Sequence, residues 1–114
     1  MSEDILLVED DIALRNVLQE FLELSGFKVN TAENAIKGLE AFQKKPCNIV
    51  ITDINMPGEM SGVDVVRRIK AFRPDTRIFV CTGQSDKISA IENVAHQVIK
   101  KPFNFDDIKK IITT

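Results

Sequence analysis

The chain has 114 residues, 44% of them hydrophobic and 28% charged, with a formal net charge of −2. That length suits one domain with a real core, and the near-neutral balance gives no global reason to expect nucleic acid or an anionic membrane as a partner. No apolar run approaches the roughly 20 residues of a spanning helix.

The acidic start Met1-Ser2-Glu3-Asp4 lacks the basic region of a secretory signal, so a cytoplasmic protein is expected. Cys47 and Cys81 fall in or beside strand-like runs and match no metal spacing, which predicts two reduced, buried thiols. Arg67, Arg68, Lys70 and Arg73 form a local basic cluster of the kind helices carry on a solvated face.

In chain order, Ile5-Leu6-Leu7-Val8 reads as a buried strand that ends in Glu9-Asp10-Asp11. Leu14, Val17, Leu18, Phe21 and Leu22 follow at helical spacing, with Asp11 as N-cap and Gly26 as the stop. Phe27 to Thr31 alternates like a second strand suited to a sheet edge. Ala35, Ile36, Leu39 and Phe42 mark a second helix, stopped by Pro46. The third strand, Ile49 to Thr52, is uninterruptedly apolar or β-branched, as in a parallel sheet covered on both faces. It runs into Asp53, and Pro57-Gly58 then suits a type II turn.

Val63, Val66 and Ile69 give a third helix, closed by Pro74, and Ile78 to Thr82 a fourth buried strand. Ser85 is placed to cap a short helix containing Ile88, Ile91 and Val94. Val98-Ile99 is a brief fifth strand ending in Lys100-Lys101-Pro102. Asn104 caps a last helix, with Asp106 and Asp107 in its positive first turn and Phe103 and Ile108 at staple positions. The phenylalanines Phe21, Phe42, Phe72 and Phe79 sit on apolar stripes and are expected in the core. Five alternations of strand and helix predict a three-layer α/β sandwich: a five-stranded parallel sheet with five helices on its two faces.

Parallel strands bring their carboxyl ends to one edge, where open α/β sheets hold ligands. Glu9 and Asp10 end the first strand, Asp53 the third, Thr82 the fourth and Lys101 the fifth. Three carboxylates in one pocket repel, by roughly 4 kcal/mol for a pair about 4 Å apart at an effective dielectric near 20. Such a cluster calls for a cation, and all-oxygen donors at a shallow, wet site favour Mg²⁺. A lysine and a hydroxyl facing the same pocket make sense as donors to a phosphoryl group beside the metal. Aspartate, Mg²⁺, lysine and threonine together form the kit for an aspartyl phosphate.

Four stretches in order, each at its own strand end, carry a resemblance: Leu7-Val8-Glu9-Asp10-Asp11, Asp53-Ile54-Asn55-Met56-Pro57-Gly58, Val80-Cys81-Thr82-Gly83 and Lys101-Pro102-Phe103. Over essentially its whole length, residues 1–114, the chain resembles a single receiver domain of the two-component response-regulator family, with its flavodoxin-like fold. The resemblance implies sheet order 2-1-3-4-5 and a cis Lys101-Pro102 bond. It makes Asp53 the phosphoacceptor. Asp10, Asp53 and the Asn55 main-chain carbonyl would bind Mg²⁺, and Glu9 would assist through a metal-bound water. Thr82 would bond a phosphoryl oxygen. Lys101 would pair with the phosphoryl group or, before phosphorylation, with Asp53. A histidine kinase or phosphotransfer protein would be the donor, and a monomer or a weak phosphorylation-dependent dimer the expected state.

Three features depart from the family pattern. Val98 stands where receivers usually carry the Tyr or Phe whose rotation reports phosphorylation, three residues before the site lysine. The segment from Gly58 to Gly62 is one residue longer than usual, and the stretch between Thr82 and Lys101 is shorter. The function expected is a signalling switch without turnover of an outside substrate. Its rivals are a receiver-like binding module that works without phosphorylation, and a small phosphatase or phosphotransferase using an aspartyl phosphate. Such enzymes need a second acid two residues after the nucleophile, and that position is Asn55. Gln84 and Asn55 could flank an attacking water, and His96 is expected to have no chemical role.

Overall fold

The computed structural model describes residues 4–54, 60–83, 97–101 and 103–113. Strands β1 (Asp4–Val8), β2 (Lys28–Ala32), β3 (Ile49–Asp53), β4 (Arg77–Thr82) and β5 (Gln97–Lys100) form one sheet. Helices α1 (Ile12–Leu24), α2 (Ala35–Lys44), α3 (Gly62–Phe72) and α4 (Phe105–Thr113) are the four among the described residues. The sheet order is β2-β1-β3-β4-β5, and every pairing is parallel. The helix expected around Ile88, Ile91 and Val94, with Ser85 as its cap, lies outside the described residues, as does His96. Among the described residues, no helix is long and apolar enough to cross a membrane.

The unbroken apolar runs have a simple cause: the sheet is covered on both faces. Leu6, Val8, Val50, Ile78 and Val80 point to one side, where Leu39 and Phe42 of α2 and Val65, Val66 and Ile69 of α3 meet them. Their neighbours Ile5, Leu7, Ile49, Ile51, Phe79 and Cys81 point to the other, against Leu18 and Leu22 of α1 and Ile108 and Ile112 of α4. Each fully buried aliphatic side chain stabilises by roughly 1.5–3 kcal/mol relative to exposure. β3, at the centre of the sheet, is buried along its whole length.

Local chemistry sets the helix ends. Asp11 accepts from the Ala13 and Leu14 N–H groups, at 3.0 and 3.2 Å, and starts α1. Gly26 ends it at φ 101°, in the left-handed region that only glycine enters freely. The Gly26 N–H donates to the Glu23 carbonyl and the Phe27 N–H to that of Leu22, a Schellman closure. Asn104 accepts from the Asp107 N–H at 3.1 Å, as expected of a cap. Two further caps carried no expectation: Asn34, which accepts from the Lys37 N–H, and Ser61, in a capping box with Asp64.

The core expectation needs one correction. Phe72 is 58% exposed. It is the last residue of α3, and the inner seat between the helices is taken by Phe42, which is fully buried. Phe72 covers that ring edge-on from outside, with centroids 6.1 Å apart. Val17 and Ile36 also turn outward although both lie at helical spacing, and Phe21 is only partly covered, against Phe105. Both cysteines are buried free thiols, as expected.

Candidate functional site

Register decides which residues meet at the carboxyl edge. Val8, Thr52, Val80 and Val98 occupy one row across β1, β3, β4 and β5. One step further, Asp53 lies beside Cys81, and one step beyond that Thr82 lies beside Lys100. Glu9 and Asp10 continue from β1 into this edge, and Lys101 continues from β5. The Lys101 N–H donates to the Thr82 carbonyl at 2.8 Å, prolonging the β4–β5 ladder by one bond.

The side chains converge. Lys101 Nζ donates to Asp53 Oδ2 at 2.8 Å and lies 3.5 Å from Glu9 Oε1. Asp53 is 8% exposed and Glu9 4%, while Asp10 is open to solvent. Carboxylate oxygens of Glu9, Asp10 and Asp53 all come within 4.8 Å of one another. Thr82 is buried at the end of β4, on the same edge. Asn55 lies outside the described residues, as do Gln84, the Pro57-Gly58 turn and the Lys101-Pro102 bond.

Among the described residues, the electrostatics of this edge follow from Lys101 facing the acid cluster. Burial pushes the Glu9 carboxyl up to about 7, and its hydrogen bond with Asp10 and the charge of Asp53 push the same way; Lys101 and the Asp11 N–H oppose them. For Lys101, burial works against the ammonium, but the hydrogen bond and charge of Asp53, with help from Glu9, hold its pKa above the usual value. Lys101 alone does not balance the pocket. A divalent cation would, and the donor set fits one: carboxylate oxygens only, two buried and one open to water. Lys100, by contrast, is exposed on the sheet edge.

Two backbone relationships at this edge escaped the sequence reading. Gly62, the first residue of α3, donates its N–H to the Ile54 carbonyl at 3.2 Å and packs directly on the backbone that follows Asp53. Arg15, in the first turns of α1, donates from Nη1 to the main-chain carbonyl of Glu9 at 2.8 Å. A glycine at a helix start after a strand-end acid, and an arginine one turn into the next helix, are too common to stand out without the tertiary contact.

Known proteins share this architecture. Residues 5–113 match the response regulator receiver domain family. The chain is 35% identical over 107 residues to the response regulator receiver protein CpdR of Brucella abortus, covering 91% of this chain and 88% of that one. It is 38% identical over 112 residues to a cyclic di-GMP phosphodiesterase of Thermotoga maritima, covering 96% of this chain but 30% of the relative. Of the first curated relatives it matches, it spans less than a third of the length. Among solved structures, the response regulator TrrA of Thermotoga maritima, in complex with Mg²⁺-BeF, superposes with a TM-score of 0.89 at 34% identity, covering 97% of this chain and 96% of that one. A parallel sheet in the order β2-β1-β3-β4-β5, the acids and lysine at its carboxyl edge and a match running nearly end to end leave one conclusion: this chain belongs to the response regulator receiver domain family of two-component systems.

Proposed function

We propose that the chain is a switch set by phosphorylation of Asp53. The observation that carries this reading is the Asp53–Lys101 contact: a nearly buried carboxylate at the end of the central strand, held at 2.8 Å by a lysine that reaches across from the end of β5, two strands away. A purely structural ion pair would not need two further acids beside it.

In this reading an Asp53 carboxylate oxygen attacks the phosphorus of a phosphohistidine on a histidine kinase or phosphotransfer protein. The new P–O bond forms as the P–N bond breaks, and the bonding pair returns to the imidazole nitrogen. Lys101 exchanges its bond to Asp53 for one to a phosphoryl oxygen and offsets the charge there. Thr82, buried beside it, donates its hydroxyl to a second phosphoryl oxygen. Glu9, Asp10 and Asp53, with the Asn55 main-chain carbonyl, would hold Mg²⁺. When bound, the ion neutralises the acids and the incoming phosphoryl group. The Mg²⁺-BeF complex of TrrA supports this choice of metal.

The chain speeds its own phosphorylation and dephosphorylation but turns over no separate metabolite, because Asn55 stands where an aspartyl-phosphate enzyme needs a second acid. It acts in the cytoplasm through protein contacts. Val98 shares a row with Thr52 and Val80 and packs on the α2–α3 core. A valine there cannot sweep through space as an aromatic ring does, so the usual aromatic route for the signal is closed to this chain.

Intact-mass spectrometry after acetyl phosphate and Mg²⁺ tests the assignment. One added phosphoryl group is expected, absent in Asp53→Asn. Undiminished labelling of that variant would place the acceptor elsewhere, and no label on wild type would favour a phosphorylation-independent binding module.

A further inference from the structure

The acid pocket rests on a short connection. Between the last residue of β1, Val8, and the N-cap of α1, Asp11, only Glu9 and Asp10 intervene, and both belong to the pocket. The pairing of β1 with β3 ends at Val8 and Thr52, so beyond it the Glu9 main chain needs other partners. Its N–H donates to the Ala32 carbonyl of β2 at 3.0 Å. Its carbonyl receives the Arg15 guanidinium at 2.8 Å. Its carboxylate accepts from the Asp11 N–H at 3.4 Å and faces Lys101.

A peptide group is planar, so the direction of the Glu9 carbonyl also fixes that of the Asp10 N–H and the path on which Asp10 leaves the strand. We propose that Arg15 is a positioning residue for the metal site: by gripping the Glu9 carbonyl it sets the Glu9–Asp10 peptide and so aims the two carboxylates at Asp53. This rests on the acid pocket being a metal site, as argued above. The grip is suited to the task. Arg15 stands on a helix anchored by its own Asp11 cap, and its planar fork loses less freedom per hydrogen bond than a lysine would. Its charge also reaches Glu33, before α2, whose carboxyl is held below its usual value mainly by Lys37 and in smaller part by Arg15. Partners one layer behind metal ligands commonly set affinity in this way.

A bland account is available: Arg15 merely satisfies a carbonyl that has left the ladder. The two differ in what they move. Mn²⁺ binding, followed by water-proton relaxation and competed by Mg²⁺, should weaken about tenfold in Arg15→Met, which keeps the apolar stem but no donor. Arg15→Lys should recover part of that loss. In metal-free protein, hydrogen exchange of the Asp10 amide should quicken in Arg15→Met while amides of β3 and β4 stay protected. Mn²⁺ affinity and Asp10 exchange indistinguishable from wild type would overturn the proposal, even if the variant melted lower. Should Arg15→Met fail to fold, Arg15→Gln carries the same test with the same two outcomes. Wild type that binds no Mn²⁺, or binds it equally well as Asp10→Asn, would defeat the metal-site reading itself and this inference with it. Tight binding to wild type that Asp10→Asn loses and Arg15→Met keeps would defeat this inference alone.

Discussion

Gly62 and Ile54 meet backbone to backbone: a Cβ on Gly62 would lie 2.5 Å from the Ile54 Cα, and closer still to the Asp53 carbonyl oxygen. The first turn of α3 thus sits directly on the chain that presents Asp53, and only a residue without a side chain permits it. Gly62→Ala should gain up to about 1 kcal/mol in helix propensity. It should lose more, roughly 1–3 kcal/mol net, because the obstructing atoms are main chain and cannot swing aside. Urea melts measure the difference. A variant as stable as wild type would mean that α3 starts later at little cost.

Lys101 and Lys100 are adjacent in sequence and opposite in setting. Lys101 bonds Asp53, whereas Lys100 is exposed. Lys101→Ala should slow phosphorylation by acetyl phosphate by roughly 10²-fold, the usual cost of one donor to a developing anion. Lys100→Ala should leave the rate near that of wild type. Initial rates by mass spectrometry decide, and equal losses would mean that the wrong lysine has been identified.

Asp10 gathers with two buried acids while itself remaining in water. Without metal it adds repulsion, so Asp10→Asn should melt higher than wild type in EDTA. With excess Mg²⁺ the order should reverse, since the ion binds only the folded pocket and stabilises by roughly 2.7 kcal/mol at a hundredfold excess over its dissociation constant. Thermal melts of both proteins in both conditions check this. A variant melting lower in EDTA would make Asp10 a structural hydrogen-bonding residue instead.

Burial pushes the Cys81 thiol up to about 12 and also raises that of Cys47. Ionised thiols are the reactive form, so neither should react with a disulfide reagent at mildly alkaline pH until the chain unfolds. The same shift carries a sign for stability. In the unfolded chain the Cys81 proton leaves near the ordinary thiol value of 9.0, whereas the folded chain keeps it to about 12. Stability contributed by the protonated thiol is intact below the unfolded value and is lost as pH rises through that window. Rapid titration of both thiols in the native protein would contradict the buried placement.

The alternation of strand and helix, the caps at Asp11 and Asn104 and the stop at Gly26 are legible in the chain itself, because hydrophobic period and cap chemistry act over a few residues. So is the gathering of Glu9, Asp10, Asp53, Thr82 and Lys101 at one edge, since parallel strands must share a carboxyl end. What no local pattern carries is the pairing between distant segments. Sheet order follows from residues tens of positions apart, and here the family resemblance supplied what the pattern did not. Phe72 reads as core by its spacing, yet Phe42 from another helix already fills the inner seat. Gly62 and Arg15 carry no local signal of their contacts, which the Ile54 backbone and the Glu9 carbonyl make only in the folded chain. Residue types and their spacing determine which groups reach the pocket; only the packing of the β1–α1 and β3–α3 connections decides how they are aimed, because those distances are set by backbone contacts between segments that the sequence keeps apart.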